Sequence, residues 1–403
     1  MKKSTYIFIS LLLSVNCWNI SFLYNILKDD GFLVLTLLWV FSSFYFFNGK
    51  KKALSLYTFR YRKYQYGIFI GIFISTFSAF FYWQQSIITT LIAQRAIYEF
   101  VLLSALLYVE PTDKDIIKPL KWISIGTIIT WAISVFAPQY IYTTETSFLE
   151  MEKGEFSRLG LYINGSHLVV VYLYFLIQEY IESFSLKKFS YALLLVLFFV
   201  LYGNRSLIIG IFLILMYSIT KIKSSHKTLI IAFISLILIA GIFYSASYWI
   251  TTIERSQSDL TDSDYNRWKA LDYYLFEYSP NLFCYIFGNG MPSGGNSTFG
   301  NLMWDNMENG IYSSDLGMIG MWSSYGIIPL LIIYSIVITV LYKSHFPLML
   351  KFICFHILLV PTIFDFQGHP GIALFCLIIY LYAYYNEYNK NNHVGYHNSE
   401  LQK

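Results

Sequence analysis

Charged residues are scarce in this chain: they make up 13% of its 403 residues, against 56% hydrophobic and 20% aromatic residues. A chain this apolar is not a string of soluble domains, and its net charge of +4 does not indicate nucleic-acid binding. Cysteine is scarce as well. The four cysteines are scattered and show neither metal-ligand spacing nor a disulfide framework; they are Cys17, Cys284, Cys354 and Cys376.

What the chain does contain is a succession of apolar runs about as long as a bilayer is thick. They predict an all-α polytopic membrane protein in which residues 1–403 form a single integral membrane domain. About twelve spans are expected, at residues 4–27, 31–48, 66–83, 86–109, 122–141, 165–184, 190–203, 206–220, 228–249, 316–341, 346–364 and 371–386. The polar stretch at 250–315 is the one large loop between them.

Lysine and arginine are distributed unevenly between the predicted spans. If the N-terminus is inside, 20 of them fall on the inside, counting Lys351 near the inside end of its span, 7 fall on outside segments, and Arg95 lies within a span. Cytoplasmic loops of membrane proteins carry an excess of basic residues. The asymmetry therefore predicts that both termini are cytoplasmic and that the 250–315 loop is extracytoplasmic.

Two charged residues lie inside the fourth predicted span. Arg95 and Glu99 are four residues apart, so we expect them on one helix face. Buried membrane charges are costly and face either each other or a polar cavity. The pair is thus read either as an internal ion pair that orients helices or as part of a cavity lining.

Several arginines on the outer side are candidates for binding an anionic substrate. Arg205 lies in the turn between two short spans, where it either snorkels to lipid headgroups or clamps phosphate, because a guanidinium matches phosphate oxygens bidentately. Arg158, Arg255 and Arg267 are further candidates on the same side. Trp268 follows one of them, and aromatic faces stack on sugar rings. Cations and aromatic residues together indicate a substrate with a pyrophosphate part and a glycan part.

Three residues are candidates for proton transfer. Asp315 precedes the tenth predicted span, where it either caps that helix or acts as a base. Glu308 lies in the same polar stretch. His369 lies in a short outer loop, and a lone histidine there is either structural or catalytic.

The order of these features resembles the bacterial O-antigen polymerase and O-antigen ligase superfamily. The resemblance is carried by the arginine-containing turn at 203–206, the Asn-Arg-Trp segment at 266–271, and the Phe-Gly-Asn-Gly turn at 287–290. The glycine-rich start of the following span, at 315–320 and 325–329, also matches. The resemblance implies a GT-C-like membrane fold in the bacterial cytoplasmic (inner) membrane.

The resemblance also implies an activity: glycosyl transfer on the outer face from an undecaprenyl-pyrophosphate-linked glycan, as in lipopolysaccharide, capsule or exopolysaccharide synthesis. Ligases of the family carry a His-Asn pair before the span that corresponds to 316–341. Residues 308–315 here contain no histidine, which favours a polymerase and leaves Asp315 or Glu308 as the base. Pyrophosphate is already a good leaving group, so no metal or other cofactor is expected. A chain-length regulator and a flippase are the expected protein partners.

Two other functions fit the same pattern. Twelve spans with an intramembrane Arg/Glu pair also suit a flippase or transporter of a lipid-linked glycan, although no related halves are evident in the sequence. A non-catalytic assembly scaffold is the third reading. The sugar, its linkage and the oligomeric state are not encoded in any pattern of the chain.

Overall fold

A computed structural model describes residues 1–47, 56–142, 161, 163–183, 185–203, 205–221, 266–294, 297–359 and 369–400. These residues are mostly helical and contain no β-strand. Their only strand-like pairing is an isolated antiparallel bridge between Ile20 and Ile141. The all-α prediction is therefore confirmed for the part of the chain that is described.

The described residues form sixteen α-helices, joined in places by short 3₁₀ or π-helical turns. They are α1 (Lys3–Ser14), α2 (Ser21–Phe46), α3 (Leu56–Trp83), α4 (Ile87–Ala93), α5 (Val101–Val109), α6 (Asp113–Phe136), α7 (Ser166–Glu182), α8 (Leu186–Tyr202), α9 (Arg205–Lys221), α10 (Asn266–Asp272), α11 (Leu282–Phe287), α12 (Thr298–Glu308), α13 (Met318–Tyr325), α14 (Ile327–Tyr342), α15 (Leu348–Leu359) and α16 (His369–Glu400).

Two of these helices are long and apolar enough to cross a membrane, α3 over Arg60–Trp83 and α6 over Asp113–Phe136. The pair α4 and Arg95–Val109 meets the same requirement as one broken span, with a bend of 66° between its halves. Other apolar helices, such as α14 and α15, are shorter. The chain thus has helices that suit a membrane, and the number twelve stays a prediction.

Helices α7 and α16 occupy the interior of the bundle. Apolar residues are buried on all sides of both helices, as is typical of a helix enclosed by others; α7 packs against α6, α8, α9, α15 and α16. The outer helices α2 and α3 instead expose large apolar side chains, among them Phe41, Tyr45, Phe73 and Phe81. Such a surface is too apolar for water and suits lipid.

The predicted first span, 4–27, is wrong as a continuous helix. Helix α1 ends at Ser14 and is followed by a 3₁₀ turn, Asn16–Asn19, whose four residues all have positive φ. Asparagine tolerates this left-handed conformation better than most residues. The break directs Trp18 against Gly126 of α6, where its Nε1 donates to Thr127 Oγ1 at 3.0 Å.

The predicted fourth span, 86–109, is broken as well, and the shared helix face of Arg95 and Glu99 is a wrong prediction. Both residues lie in the 3₁₀ turn Arg95–Phe100 between α4 and α5. Arg95 is partly exposed and pairs with Asp30. Glu99 is fully buried and accepts a hydrogen bond from Ser14 Oγ, at the end of α1. The two broken helices therefore meet where their regular backbone stops.

The predicted tenth span, 316–341, divides into α13 and α14 at Gly326, which has φ +78°. A Cβ atom at Gly326 would lie only 2.3 Å from the carbonyl carbon of Phe287, and one at Gly288 would lie 2.4 Å from the Gly326 nitrogen. Two backbone segments are thus in direct contact here, and any side chain would separate them.

One end of the bundle is held together by hydrogen bonds between segments far apart in sequence. Lys3 Nζ donates to the Glu110 carbonyl at 2.6 Å, and Tyr61 OH donates to Glu387 at 2.9 Å. Tyr380 OH donates to the Pro111 carbonyl at 2.5 Å. All of these segments lie at or next to stretches for which the sequence predicts the cytoplasmic side. The C-terminal end of α3 lies at the other end of that helix and carries the candidate site.

Candidate functional site

Residues 266–294 and 297–316, here called the cap, pack on the C-terminal end of α3. The cap has an apolar core of its own, distinct from that of the bundle, composed of Ala79, Ala270, Tyr274, Tyr278, Phe299 and Leu316. Trp83 at the end of α3 stacks on Phe299, with ring centroids 4.5 Å apart, and lies 5.9 Å from the Tyr278 ring. These aromatic contacts fix the cap on α3.

A narrow pocket with room for about one water molecule lies beside this core. It is lined by Tyr274, Tyr278, Met291, Pro292, Phe299, Met303, Asn306, Ser313 and Ser324. Its polar wall is organised by Asn306, which is buried and donates from Nδ2 to the Tyr273 hydroxyl at 3.0 Å. The pocket therefore combines ring faces with a few fixed polar groups.

Three tyrosines of the cap, Tyr273, Tyr274 and Tyr278, are neutral at physiological pH. Burial raises the pKa of Tyr274 to about 12 and that of Tyr278 well above its ordinary value, because a phenolate would lose its hydration. Burial also raises the pKa of Tyr273. These hydroxyls can form hydrogen bonds, but none is a base at neutral pH.

The structure brings together the two elements that carry the predicted site residues Arg267 and Asp315. Arg267 lies in α10, and Asp315 lies in the 3₁₀ turn Ser313–Leu316; α10 packs directly against this turn. The turn also packs against α13, and its first residue, Ser313, lines the pocket. A predicted cation and a predicted carboxylate are thus carried by neighbouring elements, although 48 positions separate them in sequence (315 less 267).

Two further predicted residues belong to the cap and are accessible. Trp268 is 45% exposed on α10. Glu308 is exposed at the last position of α12, two residues after Asn306. Both side chains are therefore accessible to a polar ligand, although neither lines the pocket.

The remaining predicted site residues are not brought to the cap by the described packing. Arg205 begins α9, which packs against α7, α8 and α15. His369 begins α16, which packs against α1, α3, α5, α7, α14 and α15. Arg158 and Arg255 lie outside the described residues. Within the described ranges, no three His, Cys, Asp or Glu residues are grouped as metal ligands.

Sequence reasoning missed two buried residues that organise the cap. Asn289 accepts from Trp83 Nε1 at 2.9 Å and donates to Ser279 Oγ and to the Ser323 carbonyl, each at 3.0 Å. Gln85 donates to the Met291 carbonyl at 2.8 Å and accepts from the Ser293 backbone at 2.9 Å. Their positions in the sequence were the available signal. Asn289 lies inside the Phe-Gly-Asn-Gly turn, and Gln85 lies between two apolar runs.

Comparison with known proteins gives no family for the chain. No protein-family model matches it. No curated protein sequence matches it either.

Proposed function

We propose that the protein is a membrane polysaccharide polymerase that joins lipid-pyrophosphate-linked oligosaccharide repeat units. In this proposal it has about twelve spans, both termini are cytoplasmic, and the cap is on the outer face. The observation that carries the proposal is the packing of α10, which bears Arg267, against the turn that bears Asp315, beside an aromatic pocket at the end of α3.

The reaction needs two charges close together. An acceptor hydroxyl attacks the anomeric carbon of the donor sugar, its proton passes to a carboxylate, and the bond to pyrophosphate breaks with the electron pair staying on the leaving oxygen. Asp315 is the proposed base. Arg267 is proposed to stabilise the charge that develops on the leaving pyrophosphate. The polyprenyl pyrophosphate then departs, and the glycan is longer by one repeat unit.

Exposed aromatic residues of the cap support a glycan substrate. Trp268 and Trp304 are 45% and 51% exposed, on α10 and α12. Exposed indole rings on an outer surface suit the apolar faces of sugars. The apolar exterior of α3 below them suits the lipid part of the donor. One region thus offers surfaces for both halves of an amphiphilic substrate.

The experiment that tests the proposed base and clamp measures polymer length on gels from a deletion strain complemented with each variant. The N-cap of α13 is Gly317, so the predicted capping role of Asp315 is wrong. Asp315→Asn keeps the size and polarity of the side chain but removes the base, so it should express normally and make no polymer. Arg267→Lys should also abolish polymer, because an ammonium does not reproduce the bidentate fork. Asp305→Asn and Lys269→Ala are matched surface controls on α12 and α10 and should be active. Full-length polymer from both test variants would refute these assignments.

Topology is tested separately with a cysteine at Ser258, which lies outside the described residues. A membrane-impermeant maleimide should label it in intact cells if the 250–315 loop is extracytoplasmic. Labelling only after permeabilisation would reverse the orientation and remove an outer-face reaction.

A second candidate function, a flippase for the same lipid-linked glycan, is favoured by the broken helices. Discontinuous helices and a buried carboxylate are common in transporters, and here the breaks after α1 and between α4 and α5 meet at Ser14 and Glu99. Purified protein in liposomes separates the two functions. Translocation of the lipid-linked unit without elongation would favour the flippase, and transfer to a different acceptor lipid would indicate a ligase.

A further inference from the structure

Part of the cap packs alongside α3, one to two turns before the C-terminal end of that helix, and not beyond it. A Cβ atom at Gly290 would be 2.8 Å from Ala79 Cβ and 2.9 Å from the Ser75 carbonyl oxygen. Ala79 and Ser75 precede the last residue of α3, Trp83, by four and eight positions. At 1.5 Å per residue, Gly290 therefore lies about 6–12 Å back along α3 from its end.

The backbone at this depth is paired within the protein. Asn289 N donates to the Ser323 carbonyl at 2.9 Å, and Gly290 N donates to the Ser324 carbonyl at 2.8 Å. Gly288 N donates to the Cys284 carbonyl, which closes α11. Non-helical backbone is tolerated at membrane depth only where protein covers its polar groups. The N–H groups of residues 288–290 meet that condition.

The open side of the same segment is apolar. Leu282, Phe283 and Ile286 are 72%, 41% and 36% exposed, and the first and last of these are four residues apart, so they share a face of α11. Phe283 lies 6.1 Å from the Tyr82 ring of α3. Tyr82 and its neighbour Phe81 are themselves exposed. The apolar surface of α11 is therefore continuous with that of a helix long enough to cross a membrane.

The sequence around this segment carries no charge. Between Glu277 and Asp305, 27 consecutive residues include no Asp, Glu, Lys, Arg or His. The rest of the predicted loop is rich in charge, with nine acidic residues between Glu254 and Asp315. An uncharged stretch inside a charged loop is what a segment in contact with hydrocarbon requires.

We propose that residues 281–290 form a re-entrant segment, which dips into the leaflet at the C-terminal end of α3, and that lipid acyl chains cover Leu282, Phe283 and Ile286. From Met291, whose carbonyl accepts from Gln85 just beyond α3, the chain turns back toward the end of that helix. This inference needs only that the protein is inserted in a membrane and holds whether or not it is a polymerase.

The test uses the full-length protein in liposomes, with the native cysteines replaced and a single spin label at Leu282 or at Ile286. Collision rates are measured with oxygen, which concentrates in hydrocarbon, and with a water-soluble nickel chelate. A label at Phe81 on α3 gives the lipid reference. A label at Trp304 on α12, of similar exposure, gives the water reference.

We expect oxygen collisions to exceed nickel collisions at Leu282 and Ile286, as at Phe81, and the reverse at Trp304. Nickel collisions that match those at Trp304 would show that the segment lies in water and would overturn the proposal. Low rates with both reagents would show that protein, such as a second copy of the chain, covers the face, and would overturn it as well. Two label sites are used so that failure of one variant to fold leaves the other.

Discussion

Replacement of Asn289 by alanine should release the cap from α3. The change removes three side-chain hydrogen bonds, to Trp83, Ser279 and the Ser323 carbonyl, and leaves the Trp83 indole donor without its acceptor. The Ser323 carbonyl keeps the backbone bond from residue 289. The bond to this carbonyl is therefore not counted, and the bonds to Trp83 and Ser279 contribute about 1 kcal/mol each. The unpaired Trp83 indole N–H costs about 1 kcal/mol more, which gives a total loss of about 3 kcal/mol.

Cys284 provides a local reporter of this release. It is fully buried in α11, where the cap packs against α3, so a thiol reagent reaches it only when the cap opens. With the other three cysteines replaced, its labelling rate by a membrane-permeant maleimide reports the opening equilibrium. A loss of about 3 kcal/mol corresponds to an increase of about 100-fold in that rate.

The matched control is Asn301→Ala on α12, where the asparagine is exposed. It should leave the labelling rate of Cys284 unchanged. If Asn289→Ala raised the rate by less than about threefold, the network around Asn289 would not hold the cap, and the estimate from its hydrogen bonds would be refuted.

Three further predictions concern single positions. Gly290→Ala should lower the melting temperature, because its φ of +78° and its contact with Ala79 leave no space for a methyl group. Glu99→Ala should lower it by the equivalent of about 2 kcal/mol, since Ser14 donates to this carboxylate, whereas Glu99→Gln keeps an acceptor and should cost less. Tyr274→Phe should keep wild-type polymer length at neutral pH, because a phenol with a pKa of about 12 is not a base. Folding raises the pKa of Tyr274, so the protonated phenol contributes stability that is fully present below about pH 10 and is lost as the pH rises from about 10 to 12. The Phe variant lacks this contribution and should lose less stability over that range, as measured by thermal denaturation.

Each of these has a comparison that can contradict it. Gly294→Ala is the control for Gly290, because a Cβ there approaches only the flexible Trp304 side chain; equal melting temperatures for the two variants would refute the steric argument. Equal losses for Glu99→Ala and Glu99→Gln would show that packing and not the hydrogen bond matters. Loss of polymer in Tyr274→Phe at unchanged protein level would give this hydroxyl a direct role.

The apolar runs of the sequence were sufficient to predict helices but not where they break. The run predicted at 66–83 lies within α3, and that at 165–184 closely matches α7. The mean hydropathy of a window of residues is the same whether or not the helix is continuous, so it does not indicate the break at Asn16–Asn19. The pair of asparagines that bounds Cys17 and Trp18 was the local signal, and Gly326 before Pro329 was another.

The candidate site was predictable residue by residue but not as an assembly. A turn at 287–290 follows from its two glycines. That α10 packs on the turn of Asp315 depends on chain reversals through α11 and α12. That Gly290 lies beside Ser75 depends on a partner more than 200 residues earlier. Neither contact follows from a periodic pattern of residues in the sequence.

The contact between Gly288 and Gly326 has a consequence for how the protein is made. When residues 281–290 leave the ribosome, α3 is already in place, but the carbonyls of Ser323 and Ser324 that pair with them have not yet been synthesised. Gly326 follows Gly290 by 36 positions, which takes about 2–7 s at 5–20 residues per second. A helix of six residues is not stable by itself, so the synthesis of α13 and Gly326 sets the moment at which this part of the protein closes.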